Sequence, residues 1–186
     1  FMLRDAGEIS SQEFAIALVR EALIQWEQLM NPYVKRIAVE TWGDSWFENC
    51  FKYIGSDMKS KVDASQVWDA YRLSLVCSWH PDVFITANSD STRELQRNRL
   101  HQVKLLRDKA SHFQDPPAVA ECVAGVLALH DVLISNRIEL GSPSRIIETL
   151  DCLKVLFRMA EGDVREFGVE TTAFFRLRCQ LILTTF

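Results

Sequence analysis

An all-α domain, a bundle of seven or eight helices joined by short loops, is the fold the sequence predicts, and three observations predict it. Apolar residues recur at helical rather than alternating spacing along most of the chain. Glycine and proline are scarce, 7 and 5 in 186 residues, and most of them fall where a helix would start or stop. No alternating run is bounded by hairpin turns, so no sheet is expected. The length fits one domain over residues 1–186, and 48% hydrophobic with 25% charged residues is ordinary globular composition. No apolar stretch is long enough to span a bilayer, so no membrane partner is expected. The chain opens on Phe1 without a signal-peptide pattern, which reads as a fragment of a larger protein.

The elements follow in order. Ser10-Ser11-Gln12-Glu13 forms a capping box, and Phe14, Ala17, Leu18, Leu23 and Leu29 continue it as a helix. Asn31-Pro32 is expected to restart the chain as N-cap and first helical residue of a helix from Asn31 to Trp42. Gly43-Asp44 breaks that helix, and Asp44 is placed as cap of a short aromatic helix carrying Trp46, Phe47, Phe51 and Tyr53, ended by Gly55. A helix capped near Asp63 would run through Val67, Trp68, Tyr71, Leu75 and Val76 toward His80-Pro81. Ser91-Thr92-Arg93-Glu94 opens a long helix reaching Phe113. Pro117 suits the first turn of the next, through Val123, Val126, Leu127 and Leu133. Ser142-Pro143 opens a helix with Ile146, Ile147, Leu150, Leu153 and Phe157, and Val164 to Ile182 reads as a last helix.

Five cysteines, Cys50, Cys77, Cys122, Cys152 and Cys179, are scattered among apolar neighbours, without the two-residue spacing of a zinc site. They fit buried thiols in a reducing compartment. The four histidines do not cluster, so neither a metal nor another cofactor is expected. A net charge of −4 argues mildly against nucleic acid, except where cations gather on one element.

The Ser91 to Phe113 helix gathers them. It carries Arg93, Arg97, Arg99, Lys104, Arg107 and Lys109 against Glu94 and Asp108. Arg93, Arg97, Lys104 and Arg107 fall within an arc of roughly 80°. Leu95, Val103, Leu106, Ala110 and Phe113 take another arc, suited to the core. Surface helices are often charged. A salt-bridged one would normally interleave Glu with its cations, however, whereas an unneutralised stripe suits phosphate contacts.

At the end of this helix stands Arg107-Asp108-Lys109-Ala110-Ser111-His112. Carbonyl dipoles in the last turn favour the imidazolium of His112 and hold its pKa near the physiological range. An Arg beside such a His suits RNA cleavage without metal: the His abstracts the 2′-hydroxyl proton and the guanidinium neutralises charge on phosphorus. Five residues of helix splay the two side chains by about 140°, so two copies across a two-fold axis would be needed to aim both at one phosphate. The alternative is that His112 caps the helix and Arg107 belongs to the charged face.

These residues resemble the HEPN superfamily, all-helical domains marked by Arg, a polar residue and then His, late in a long helix. Arg107, Asp108 and His112 match those three roles. Pro32-Tyr33-Val34 with Trp42-Gly43-Asp44-Ser45-Trp46 looks like the entry of one HEPN group. So do the aromatic stretch from Trp68 to Trp79, Val83-Phe84 after it, and Leu105 to His112. That group forms the C-terminal domain of nuclear RNA endonucleases whose main active site is a separate PIN domain, acting in messenger-RNA surveillance. The resemblance spans residues 30 to 135, and nothing family-specific follows Gly141. The sequence departs from the group in having Asp108 where Asn is commoner, and Ala110-Ser111 where Trp-Ala is frequent.

What the resemblance implies is a nuclear homodimer that contacts single-stranded RNA. Arg107, His112 and Asp108 would form a catalytic motif of a metal-independent endoribonuclease. Arg93, Arg97 and Lys104 are the RNA-binding residues expected from the stripe. The alternative is a non-catalytic module that dimerises, or docks other domains of its parent protein.

Overall fold

The computed structural model describes residues 11–53, 63, 66–87, 89–111, 116–141 and 144–160, and these are helices joined by turns, without a strand among them. The order is α1 (Ser11–Trp42), a 3-10 turn (Gly43–Ser45), α2 (Trp46–Cys50), α3 (Ala70–Trp79), α4 (Pro81–Phe84), α5 (Asp90–Ser111), α6 (Val119–Ser135) and α7 (Arg145–Ala160). α1 packs along α6 and α7 and also touches α2 and α3, while α5 lies between α3 and α6. The expected last helix, Val164 to Ile182, lies outside the described residues, as do Ser10, Gly55, Phe113, Ser142 and Pro143. No described helix is long and apolar enough to cross a membrane.

The first correction concerns Pro32. It does not restart the chain but sits inside one 32-residue helix. The reason is the buried stripe Ala15, Leu18, Val19, Ala22, Trp26, Met30, Val34 and Ala38, whose steps of three and four run in phase across the proline. Breaking the helix there would turn Val34 and Ala38 out of the core. Asn31, expected as an N-cap, has another task. Its Nδ2 donates to the Glu27 carbonyl and to the Trp68 carbonyl, both at 2.8 Å, and its Oδ1 accepts from the Trp68 N–H at 2.8 Å. The carboxamide thus pairs with both backbone groups of one residue, as a neighbouring strand would. Pro32 itself is exposed and removes the N–H that the Gln28 carbonyl would have used. Pro32→Ala should therefore raise stability by about 1–3 kcal/mol. The midpoint of thermal unfolding by circular dichroism measures it, and a lower midpoint would contradict this account of the helix.

The second correction follows from the first. Because Asn31 holds Trp68 in a bracket, the helix expected from Asp63 starts only at Ala70, and Val67 is left exposed. Asp69 is its N-cap, accepting from the Arg72 N–H at 3.0 Å. Trp68 is buried and packs edge-on against Phe51, with ring centroids 4.6 Å apart. Asp44 caps nothing: it lies in the 3-10 turn that Gly43 opens at φ 55, and Ser45 takes the cap position of α2. Ser89 rather than Ser91 caps α5, its Oγ accepting from the Thr92 N–H at 3.2 Å. Pro117 lies two residues before α6, outside its first turn, and Glu121 reaches back to the N–H of the N-cap Ala118 at 2.9 Å.

Candidate functional site

The helix that carries the cations is fixed along its whole length. Its buried face is Gln96, Leu100, Val103, Leu106 and Ala110. Leu95, expected in the core, is half exposed, and Gln96 takes the inward position by donating to Ser135 Oγ at 2.8 Å. At Gly125 of α6 an added Cβ would meet the Leu106 side chain at 2.5 Å, so the two helices touch more closely there than any larger residue would let them. This contact seats the residue immediately before Arg107. At the far end Arg20 of α1 donates from Nε and Nη2 to the Ala110 carbonyl, at 3.2 and 2.8 Å, satisfying a C-terminal acceptor of α5.

The expectation of an unneutralised stripe does not hold. α5 is short of carboxylates in its own sequence, but the fold brings others to it. Arg93 pairs with Asp82 of α4 at 3.4 Å and with Asp90 at 3.0 Å. Arg97 faces Glu94 at 3.6 Å. Arg99 reaches Asp131 of α6 at 3.1 Å, and Lys109 reaches Glu121 at 2.6 Å, holding that carboxyl below its ordinary range. Among the described residues Lys104 has no carboxylate partner; its Nζ lies 5.0 Å from the centroid of the Tyr71 ring.

Arg107 stands at the centre of a small mixed-charge cluster. Its Nη2 is 2.6 Å from Asp69 Oδ2 and its Nη1 is 3.4 Å from Asp108 Oδ1. Its guanidinium carbon lies 5.8 Å from the Tyr71 centroid. Asp69 is used twice, one oxygen capping α3 and the other holding Arg107. Beside it Glu27 Oε1 accepts from the Ala70 N–H at 2.8 Å. Burial and, after it, the neighbouring Asp69 push the Glu27 carboxyl above its ordinary range, against the opposing pull of the Ala70 N–H and Arg107. Arg107 and Asp69 keep about 30% of their side-chain surface, 31% and 30%, so solvent reaches the pair.

The structure thus brings Arg107, Asp108 and Lys104 to one surface, while Arg93 and Arg97 lie further up the helix in ion pairs of their own. His112 lies outside the described residues. Glu27, Asp69, Tyr71 and Arg20 complete the surroundings of the motif helix. They come from α1, from α3 and from the N-cap of α3, and no local pattern in the sequence marks them.

Cys50, Cys77 and Cys122 are buried free thiols, Cys152 is buried as well, and Cys179 lies outside the described residues. Burial pushes the Cys50 and Cys122 thiols up to about 12 and Cys77 higher still, which makes them poor nucleophiles. His80 packs among Trp42, Tyr53 and Phe84, and burial lowers its pKa. Among the described residues no group of His, Cys, Asp and Glu is arranged to hold a metal ion. Comparison with known proteins finds no matching family model, no matching curated protein and no matching solved structure.

Proposed function

We propose that this chain is a HEPN-type domain that contacts single-stranded RNA as a homodimer and cleaves it without metal. Its active groups are Arg107 and His112, with Asp108 as the polar residue of the motif. Its setting is the nuclear endoribonuclease of messenger-RNA surveillance that the sequence resembles. One observation carries this reading: Lys104 and Arg107 converge on the Tyr71 ring at the C-terminal half of α5, on a surface that solvent reaches. Two cations and an aromatic ring are the groups that hold a phosphodiester and its base. In the reaction His112 takes the proton from the 2′-hydroxyl, the freed oxygen attacks phosphorus as the P–O5′ bond breaks, and the leaving 5′-oxygen takes a proton from water, to which His112 afterwards returns its own. Arg107 neutralises the charge that develops on the phosphoryl oxygens. The products are a 2′,3′-cyclic phosphate and a 5′-hydroxyl. Arg93 and Arg97 extend the binding surface by exchanging their carboxylates for phosphates.

The test is binding and cleavage of a labelled single-stranded RNA in EDTA. Replacing Arg93, Arg97 and Lys104 together with Glu should weaken binding at least tenfold at low salt, by roughly 1.4 kcal/mol, and lower the slope of log K against log salt by about 2. The same reversal at Lys35, Arg36 and Lys52 should do much less. Equal effects of the two sets would make α5 an ordinary solvated face.

A docking role without chemistry is favoured by a different observation. Beside the motif helix, Leu105, Ala124, Gly125 and Pro117 line a shallow apolar groove bordered by the Lys109–Glu121 pair. Self-association without any RNA affinity would favour that reading.

A further inference from the structure

The ion pair between Arg107 and Asp69 stands where an RNA phosphate would have to bind. Asp69 presents two anionic oxygens between a helix amide and a guanidinium, Oδ1 on the Arg72 N–H at 3.0 Å and Oδ2 on Arg107 Nη2 at 2.6 Å. A phosphodiester offers the same pair of charged oxygens at a similar spacing. Lys104 and Tyr71 flank this position, and Lys104 has no carboxylate partner among the described residues. Asp108, the other carboxylate on Arg107, is further away at 3.4 Å.

The pair is also exchangeable. Both side chains keep about a third of their surface, 31% and 30%, and partly exposed ion pairs contribute little net stability because water competes for both ions. An Arg whose charge is already met by an internal carboxylate releases fewer counterions when it meets a phosphate. The freed carboxylate must be neutralised or hydrated in its turn. Such an Arg binds RNA, but below its full strength.

We propose that Asp69 occupies the phosphate position on Arg107 and is displaced by the phosphodiester of single-stranded RNA, so that it sets the domain's RNA affinity. This rests on the reading that Arg107 contacts RNA. Asp69 is then an affinity-setting residue that acts through Arg107.

Asp69→Asn is the discriminating variant. Asn is as good an N-cap as Asp, so α3 keeps its start while the negative charge on Arg107 is removed. Asp69→Ser, another capping residue of different shape, guards against an effect peculiar to Asn. Circular dichroism verifies the fold of each. The probe is a fluorescently labelled single-stranded oligouridylate, titrated by anisotropy over a salt series.

Both variants should bind about three- to tenfold more tightly than wild type at low salt, with the slope of log K against log salt steeper by about 0.7. The gain should vanish when Arg107→Ala is added. Unchanged affinity and slope in both Asp69 variants, while Arg107→Ala weakens binding, would overturn the competition and leave the proposed function standing. Tighter binding that survives Arg107→Ala would also overturn it, since the charge would then act on RNA directly. No effect of Arg107→Ala in either background would remove the RNA-contact reading itself, and this inference with it.

Discussion

Trp26→Ala is expected to lower the unfolding free energy by about 3–5 kcal/mol, the largest loss of any single truncation in the described core. Trp26 is fully buried in the middle of α1, the helix that packs on α6 and α7 and touches α3. Its truncation leaves a void between helices held apart by their other contacts, so the cavity collapses only in part. A domain of this size holds about 5–15 kcal/mol in all, so the variant should lose a large share of its stability. Trp26→Phe separates lost volume from lost polarity. The indole Nε1 is buried without a hydrogen-bond partner. Phe keeps most of the ring and removes a donor whose desolvation nothing offsets, so the cost should stay below about 1.5 kcal/mol. Urea unfolding followed at 222 nm measures both. An Ala variant that lost less than about 1 kcal/mol would mean that α1 is not the helix around which the others pack.

The helical class was legible because the apolar period is a local property, repeated often enough to survive individual errors. The errors came where a local rule met a tertiary demand. Asn-Pro is a good helix start taken alone, yet the stripe from Trp26 through Met30, Val34 and Ala38 continues in phase across it. Asp63 and Asp69 are equally good caps by residue type. Only the grip of Asn31 on the Trp68 backbone decides between them, by holding the chain extended up to Asp69. Leu95 and Gln96 exchange inside and outside because Ser135 of α6 offers Gln96 a partner.

The site was legible to a smaller degree, for the same reason. Arg107 announces itself by its position late in a basic helix. Its partner Asp69 lies 38 residues away and the ring beneath it, Tyr71, belongs to the same distant turn, so no spacing rule connects them. The apparent shortage of acidic residues on α5 had the same origin. Asp69, Asp82, Asp131 and Glu121 supply the missing charge from three other segments. Counting charges along one helix measures its own sequence and leaves out what the fold packs against it.

Mixing two inactive variants is expected to restore cleavage. Under the proposed reaction Arg107→Ala and His112→Ala should each lower single-turnover cleavage of RNA in EDTA by at least about a hundredfold, since each removes a group needed in the transition state. They should differ in binding. Arg107 meets the phosphate before and during the reaction, so its loss weakens affinity, whereas the loss of His112 leaves affinity nearly intact. The proposed pairing then decides what the mixture does. The proposed reaction pairs the Arg of one subunit with the His of the other across a two-fold axis, as the sequence expectation of a helix running through His112 requires. A heterodimer of the two variants holds one doubly mutated site and one intact site. Random reassortment makes about half of all dimers hybrid, so the mixture should recover about one quarter of wild-type activity. A 2′,3′-cyclic phosphate on the product ties the recovered activity to attack by the RNA's own hydroxyl. If the mixture stays inactive although mass spectrometry shows that hybrids have formed, Arg107 and His112 do not act across an interface. If the chain remains monomeric at the concentrations where wild type cleaves, the composite site does not exist.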